Sequence, residues 1–329
     1  MSASLLDPPP HISPQTALYL SQQAPHILKS SPTSSLPWPL SLLFTSETPE
    51  TWAVHENLLL SCLRTGDDKS ARLCLDRMIA RFGDDNERMM ALKGMYEEAT
   101  AVDKAGLEKV LKEYEKILAA DPTNMAVRKR RIALLRSMSR PADAIAGLVE
   151  LVDSSPTDAE AWAELSDLYV SQNMHAQAIF SLEEVLLITP NAWNVHARMG
   201  ELLYLSATAS ASGATLKGIT ESMRRFCRSI ELCDDYLRGY YGLKLTTQRL
   251  LSLLSTHPKP SHATTDPTVG DLAAPSIVTV QKLHELATTK LAEIIRRGSS
   301  KEAGWSGYDQ AELIAARELL DRDAQKIER

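Results

Sequence analysis

The stretch AEAWAELSDLYVSQNMHAQAIFSLEEVLLITP, residues 159–190, decides how the rest of the chain is read. Counting from Ala159, position 4 is Trp162, position 7 is Leu165, position 8 is Ser166 and position 11 is Tyr169. At 100° per residue these four cluster within about 100° of arc, so they form one packing face of a helix. A second apolar run carries Ala178 at position 20 and Leu182 at position 24, and Pro190 at position 32 stops it. Outward from this stretch, prolines stand at 122, 156 and 190, spaced by 34 residues. Each ends an apolar helical run: YEKILAADP, GLVELVDSSP and LEEVLLITP.

A period of 34 with two helices per unit is the signature of a tetratricopeptide array. The unit at 125–158 places Leu135, Ala144, Leu148 and Pro156 on schedule. The unit at 91–124 gives Val110, Tyr114 and Pro122 with a weak first helix. Residues 52–85 fit a divergent unit with Ala71, Leu75 and Met78, five residues out of phase with the next. From Trp193 a further unit runs to 235, with Met199 and Gly200 at positions 7 and 8 and an insertion at 207–217 that delays its second helix. An extra helix at 236–254 closes an array of 51–255. A Pro-, Thr- and Ser-rich loop follows at 256–276, then capping helices within 277–329, with Val280, Leu283, Leu286, Leu291 and Ile294 as one apolar stripe and Leu313, Ile314, Leu319 and Leu320 as another. Nine of the 17 prolines lie in residues 1–49, so 1–50 reads as a Pro-rich segment with at most one short helix, about 14–24. Such units bury their apolar faces only by stacking. The expected fold is therefore all-α, a right-handed superhelical solenoid with a concave protein-binding groove.

Composition agrees with that class and excludes others. Apolar residues make up 44% of the 329, aromatics only 5%, and there are 14 glycines, a balance that favours helices. The formal net charge of -6 argues against a nucleic-acid binder, which would carry a basic excess. No stretch approaches the ~20 apolar residues of a membrane span, and the first residues lack a secretory pattern, so a soluble cytosolic protein is expected. Cys62, Cys74, Cys227 and Cys233 form no CxxC pair and read as reduced, packed thiols. The eight histidines include no pair at the i, i+4 spacing of a metal site. GATLKG at 213–218 continues with Ile219-Thr220 and so fails as a phosphate loop. With no nucleophile elbow either, no catalytic residue, metal or cofactor is expected.

Four consecutive basic residues, Arg128, Lys129, Arg130 and Arg131, interrupt this acidic chain. Arg128 and Arg131 occupy positions 4 and 7, where the repeat normally packs apolar groups, so their stems should pack while the guanidinium groups reach out. Lys129 and Arg130 should face the groove or its edge. Positions 2, 5, 9 and 12 line the groove in this reading. They give Ala126, Lys129, Ala133 and Arg136 in one unit, Glu160, Ala163, Asp167 and Val170 in the next, and Asn194, Ala197, Glu201 and Tyr204 in the third. A basic-to-acidic polarity could orient a partner segment. Trp162 and Tyr169 could form an aromatic binding box, but their positions are those of packing within a repeat.

DPTNMAVRKRRIALL at 121–135, the stretch quoted first, HARMGELLYLSA at 196–207 and the upstream RLCLDRMIARFGDDNERMMALKGMYEEAT closely resemble the family of subunit 2 of the endoplasmic reticulum membrane protein complex. The resemblance covers roughly residues 50–250 and is best at 121–206. It implies a non-catalytic subunit, peripheral on the cytosolic face of the endoplasmic reticulum and held there by partner subunits. It also implies that the complex inserts tail-anchored and multipass membrane proteins, and that the subunit cradles cytosolic parts of membrane-embedded subunits and a paired soluble subunit. The alternative is a co-chaperone adaptor. Tetratricopeptide co-chaperones resemble one another in a carboxylate clamp of lysines, asparagines and arginine, and neither register here assembles it: the register from 125 keeps Lys129 and Arg198 but neither asparagine.

Overall fold

The computed structural model describes residues 4–9, 12–30, 48–209, 215–256, 275–305 and 307–327, and among these every regular element is a helix. The Pro-rich stretch 31–47, residues 210–214 of the expected insertion and 257–274 of the expected loop lie outside the described residues. Two compact units divide the chain, residues 1–147 and 148–329.

The first unit starts with α1 (Pro14–Ser21) and α2 (Ala24–Ser30). It continues through α3 (Pro49–Thr65), α4 (Asp68–Phe82), α5 (Glu87–Thr100), α6 (Lys104–Ala120) and α7 (Met125–Ser137) into α8 (Pro141–Ser154). Local chemistry sets the boundaries. Thr48 caps α3 ahead of Pro49, and the Asp67, Asn86, Asp103 and Asn124 side chains each accept a backbone N–H in the first turn of α4 to α7. Gly66 ends α3 with φ 75°, a left-handed conformation that glycine adopts without a Cβ penalty. One core joins Leu5, Leu20 and Ala24 to Leu58, Leu59, Cys62, Cys74 and Leu75. Asn57 donates from Nδ2 to the Leu5 carbonyl at 2.8 Å, and Arg77 donates to the carbonyl of Leu28. The N-terminal segment therefore corrects the sequence expectation: it holds two short helices that complete the core of the first unit, because Leu20 and Ala24 fill the space over α3 and α4.

The second unit contains the end of α8, then α9 (Ala159–Ser171), α10 (His175–Ile188), α11 (Trp193–Ala209), α12 (Leu216–Leu232) and α13 (Leu237–Thr256). It closes with α14 (Ile277–Ser299) and α15 (Gln310–Ile327). Ala178, Leu182, Met199 and Leu202 form one core cluster. A larger cluster runs from Ala197 and Phe226 through Tyr240 and Leu243 to Val280, Leu291, Ile294 and Ala316, so the last two helices share the core of α11 to α13. Leu286 and Ile314, expected in apolar stripes, are exposed, and Ala287 and Ala316 take the inward places. Lys244 is buried, with Nζ 3.0 Å from the Thr288 hydroxyl.

The turns inside the repeats are alike. Ser139 and Asn173, 34 residues apart, both have φ 58°. The next amides, Arg140 and Met174, donate to the carbonyls of Leu135 and Tyr169 at 3.0 and 2.9 Å. This six-to-one closure around a left-handed residue ties off α7 and α9 in the same way.

The first helix of the 91–124 unit is not weak but displaced. Gly94 lies against Tyr114, where an added Cβ would stand 2.1 Å from the phenol oxygen. That is the pairing of Gly200 with Phe226, at 3.0 Å. Gly94 thus takes the role of position 8, and the unit begins at Glu87, four residues early. The cause is helix length: α6 has 17 residues where α8 and α10 have 14, and α5 has 14 where α7 and α9 have 13. The extra turn moves the start of the hairpin back by one turn.

Candidate partner-binding surface

The basic run sits on α7, and its four side chains have different environments. Arg130 does not face a groove edge as expected. Its Nε donates to Oε1 of Glu98 at 2.8 Å and its Nη2 binds the other carboxylate oxygen. The Tyr114 hydroxyl donates to the same Glu98 at 2.5 Å. Glu98 is only 9% exposed and Arg130 29%, so α5, α6 and α7 are joined by one half-buried network. Burial opposes charge on Arg130, but the hydrogen bond and charge of Glu98 raise its pKa on balance. Burial first, then Glu98, pushes the Tyr114 phenol far above its usual range, so it remains a neutral donor.

Arg128 and Arg131 are half-buried, and Arg131 approaches Glu115 at 3.6 Å. Lys129 and Arg136 are the exposed members on α7. In the second unit Glu160, Asp167, Asn194 and Glu201 are exposed. Ala197 and Tyr204 differ from the groove assignment. Ala197 is buried and Tyr204 packs half-buried against the core of the second unit, because α11 turns positions 5 and 12 inward. Arg198 lies between Asp167, at 3.2 Å, and Glu201, at 2.8 Å.

These pairs form a series that sequence reading missed. Arg88 binds Glu56, Arg130 binds Glu98 and Arg198 binds Asp167, at separations of 32, 32 and 31 residues. Each joins the first helix of one hairpin to the first helix of the hairpin before it. The signal was a carboxylate about one period ahead of an arginine. Leu134, Leu168 and Leu202 recur at 34 residues and are all buried, a second ladder at position 10.

The packing residues are placed as follows. Leu165, Ala178 and Leu182 are buried, and Trp162 and Tyr169 are half-buried. Trp162 stands edge-on to Phe180 and donates from Nε1 to the Pro156 carbonyl at 2.9 Å. His196, at the matching position of the next repeat, has Nε2 3.0 Å from the Pro190 carbonyl. Pro122, Pro156 and Pro190 are exposed in the loops between hairpins, and the last two also supply carbonyl acceptors. Burial holds His196 below the usual imidazole range. The Pro190 contact partly offsets this, and Arg225 and Arg228 add to it.

Among the described residues no three His, Cys, Asp or Glu side chains are placed to hold a metal ion. Burial pushes the thiols of Cys62 and Cys74 up to about 12 and that of Cys227 to about 11, which keeps them protonated and poorly nucleophilic. Among the described residues no helix is long and apolar enough to cross a membrane.

A family model described as the EMC2 TPR-like repeat domain matches residues 86–218, the segment from α5 to the start of α12. The TPR repeat protein oca3 of Schizosaccharomyces pombe is 34% identical over 241 residues, covering 73% of this chain and 82% of that protein. ER membrane protein complex subunit 2-B of Xenopus laevis is 30% identical over 203 residues, covering 62% of this chain and 64% of the relative's length. Among solved structures, the C-terminal part of a TPR repeat-containing protein from Cytophaga hutchinsonii aligns with a TM-score of 0.47 at 10% identity, over 84% of this chain and 93% of that one.

Proposed function

Because this chain belongs to the ER membrane protein complex subunit 2 family of TPR-like repeat proteins, we propose that it is a non-catalytic scaffold subunit of a multi-subunit complex at the endoplasmic reticulum membrane. The observation that carries this reading is the family match over 86–218, which spans the helices from α5 to α11. The protein works on the cytosolic face and is held there by partner subunits. It supports insertion of tail-anchored and multipass membrane proteins by holding cytosolic parts of membrane-embedded subunits. Lys129 and Arg136 in the first unit are contacts for those parts. So are Glu160, Asp167, Asn194 and Glu201 in the second, with Tyr204 beside them. Arg128, Arg130 and Arg131 set the helix that presents the first pair. Exposed charges of this kind contribute registration and encounter rate more than affinity.

The function is tested by depleting the chain and measuring insertion of a tail-anchored reporter into isolated membranes. Insertion should fall and recover when the chain is restored. Insertion that is unchanged by depletion would overturn the reading.

A further inference from the structure

The end of α14 carries a motif that the repeat array does not use. The chain holds three Arg–Arg pairs, at 130–131, 224–225 and 296–297, and only after the last does a hydroxyl residue, Ser299, stand two places on. Protein kinases that select arginine three and two places before the target serine hold the two guanidinium groups on carboxylates of their own groove, a bidentate pairing that lysine does not reproduce. Ser299 is the last residue of α14 and is exposed, as is Ser300 after it. The Arg296 side chain is 66% exposed and reaches Glu302 at 3.6 Å. Arg297 is held more closely, by Glu293 at 2.9 Å and over the Trp305 ring at 4.8 Å. Opening the last helical turn releases it, and helix ends open at little cost.

A third basic group faces Ser299 from the next helix. Arg317 of α15 donates from Nη2 to the Ser299 hydroxyl at 3.4 Å. The Ser300 hydroxyl instead donates back to the Arg297 carbonyl at 3.0 Å, and its amide closes the helix on the Arg296 carbonyl. The two serines are therefore not equivalent. A phosphate on Ser299 brings about two negative charges and three acceptor oxygens to an oxygen that Arg317 already reaches. The negative end of α14 opposes it with about half a charge, whereas Arg317 and Arg296 each offer a full one. Glu302, the acid just beyond the helix end, is matched by Arg296 and Arg297 at 3.6 and 3.7 Å. Attraction outweighs repulsion, and the phosphate ties α15 to the end of α14.

We propose that Ser299 is the target of an arginine-directed protein kinase, and that its phosphate clamps α15 through Arg317. In the transfer, Ser299 Oγ bonds to the γ-phosphorus of ATP as the bond from that phosphorus to the bridging oxygen breaks. ADP leaves with the electron pair, and the hydroxyl proton passes to the kinase's catalytic carboxylate. The site lies apart from the charged residues named above and does not depend on which complex the protein joins. The test incubates the full chain with magnesium, ATP and the catalytic domain of a kinase that requires arginine at those two places, and maps the phosphate by mass spectrometry. Phosphate should appear on Ser299, and its incorporation should drop roughly tenfold or more in Arg296→Ala. Amide exchange across α15 should slow roughly threefold or more on phosphorylation. Arg317→Ala should abolish that slowing without changing incorporation. Hydrogen exchange of α14 in the unmodified variants checks that both fold. Phosphate on Ser300 or elsewhere instead, incorporation indifferent to Arg296, or exchange in α15 that is unchanged or faster would overturn the proposal.

Discussion

Arg130→Ala removes the cation from the network that joins α5, α6 and α7. The carboxylate of Glu98, only 9% exposed, then keeps the Tyr114 hydroxyl but loses both contacts to the guanidinium. Breaking a fully buried ion pair by removing one partner costs about 3–5 kcal/mol. Arg130 is 29% exposed, so water can solvate part of the loss, and about 2–3 kcal/mol is expected here. At 1.4 kcal/mol per decade this is roughly a 30- to 140-fold rise in amide exchange through local opening of α5 to α7. Hydrogen exchange is the right assay, because a chain of two units need not unfold in one step. Lys129→Ala, one residue away and exposed, should cost within ~0.5 kcal/mol. A double-mutant cycle with Glu98→Gln should show strong coupling for Arg130 and little for Lys129. Equal, small effects of Arg130→Ala and Lys129→Ala would refute the reasoning. The basic run would then be a solvated face with no structural member.

Three further substitutions probe other parts of the account. Gly94→Ala puts a Cβ 2.1 Å from the Tyr114 oxygen and must displace a buried ring, so a loss of about 1–3 kcal/mol is expected in the hydrogen exchange of α5 and α6. Ser139→Gly relieves a left-handed non-glycine residue and should gain up to about 1 kcal/mol once glycine's chain entropy is subtracted. His196 has a depressed pKa in the fold, so the unfolded chain binds protons more readily. Its share of stability is therefore complete above the unfolded value of about 6.5 and falls as pH drops through it. The difference in melting temperature between pH 7.5 and 5.5 should shrink in His196→Gln.

Much of the fold was legible because its determinants repeat. The prolines at 122, 156 and 190 and the residues around Trp162 fix an all-α repeat class from spacing alone. What escaped depends on geometry that one consensus does not carry. A 34-residue consensus starts the hairpin at Gly94 one turn late, because the extra length of α6 shows only in the packing of Tyr114 against Gly94. Helical angle alone turns positions 5 and 12 toward the groove. The neighbouring helices of the second unit nevertheless enclose Ala197 and half of Tyr204. Helical angle alone puts Arg130 at a groove edge, because its acid, Glu98, belongs to a different helix and repeat. The separation of about 32 residues between acid and arginine was present in the sequence. Only the recurrence of three such pairs in space gives it meaning.

A subunit of a membrane-embedded assembly must be recovered together with that assembly. Purification of the tagged chain from membranes solubilised in mild detergent tests it most directly. A stable set of multi-spanning endoplasmic reticulum proteins should copurify, and Lys129→Glu with Arg136→Glu should lower their recovery while leaving the hydrogen exchange of α7 unchanged. Recovery of cytosolic chaperones alone, with no membrane-embedded partner, would contradict the account.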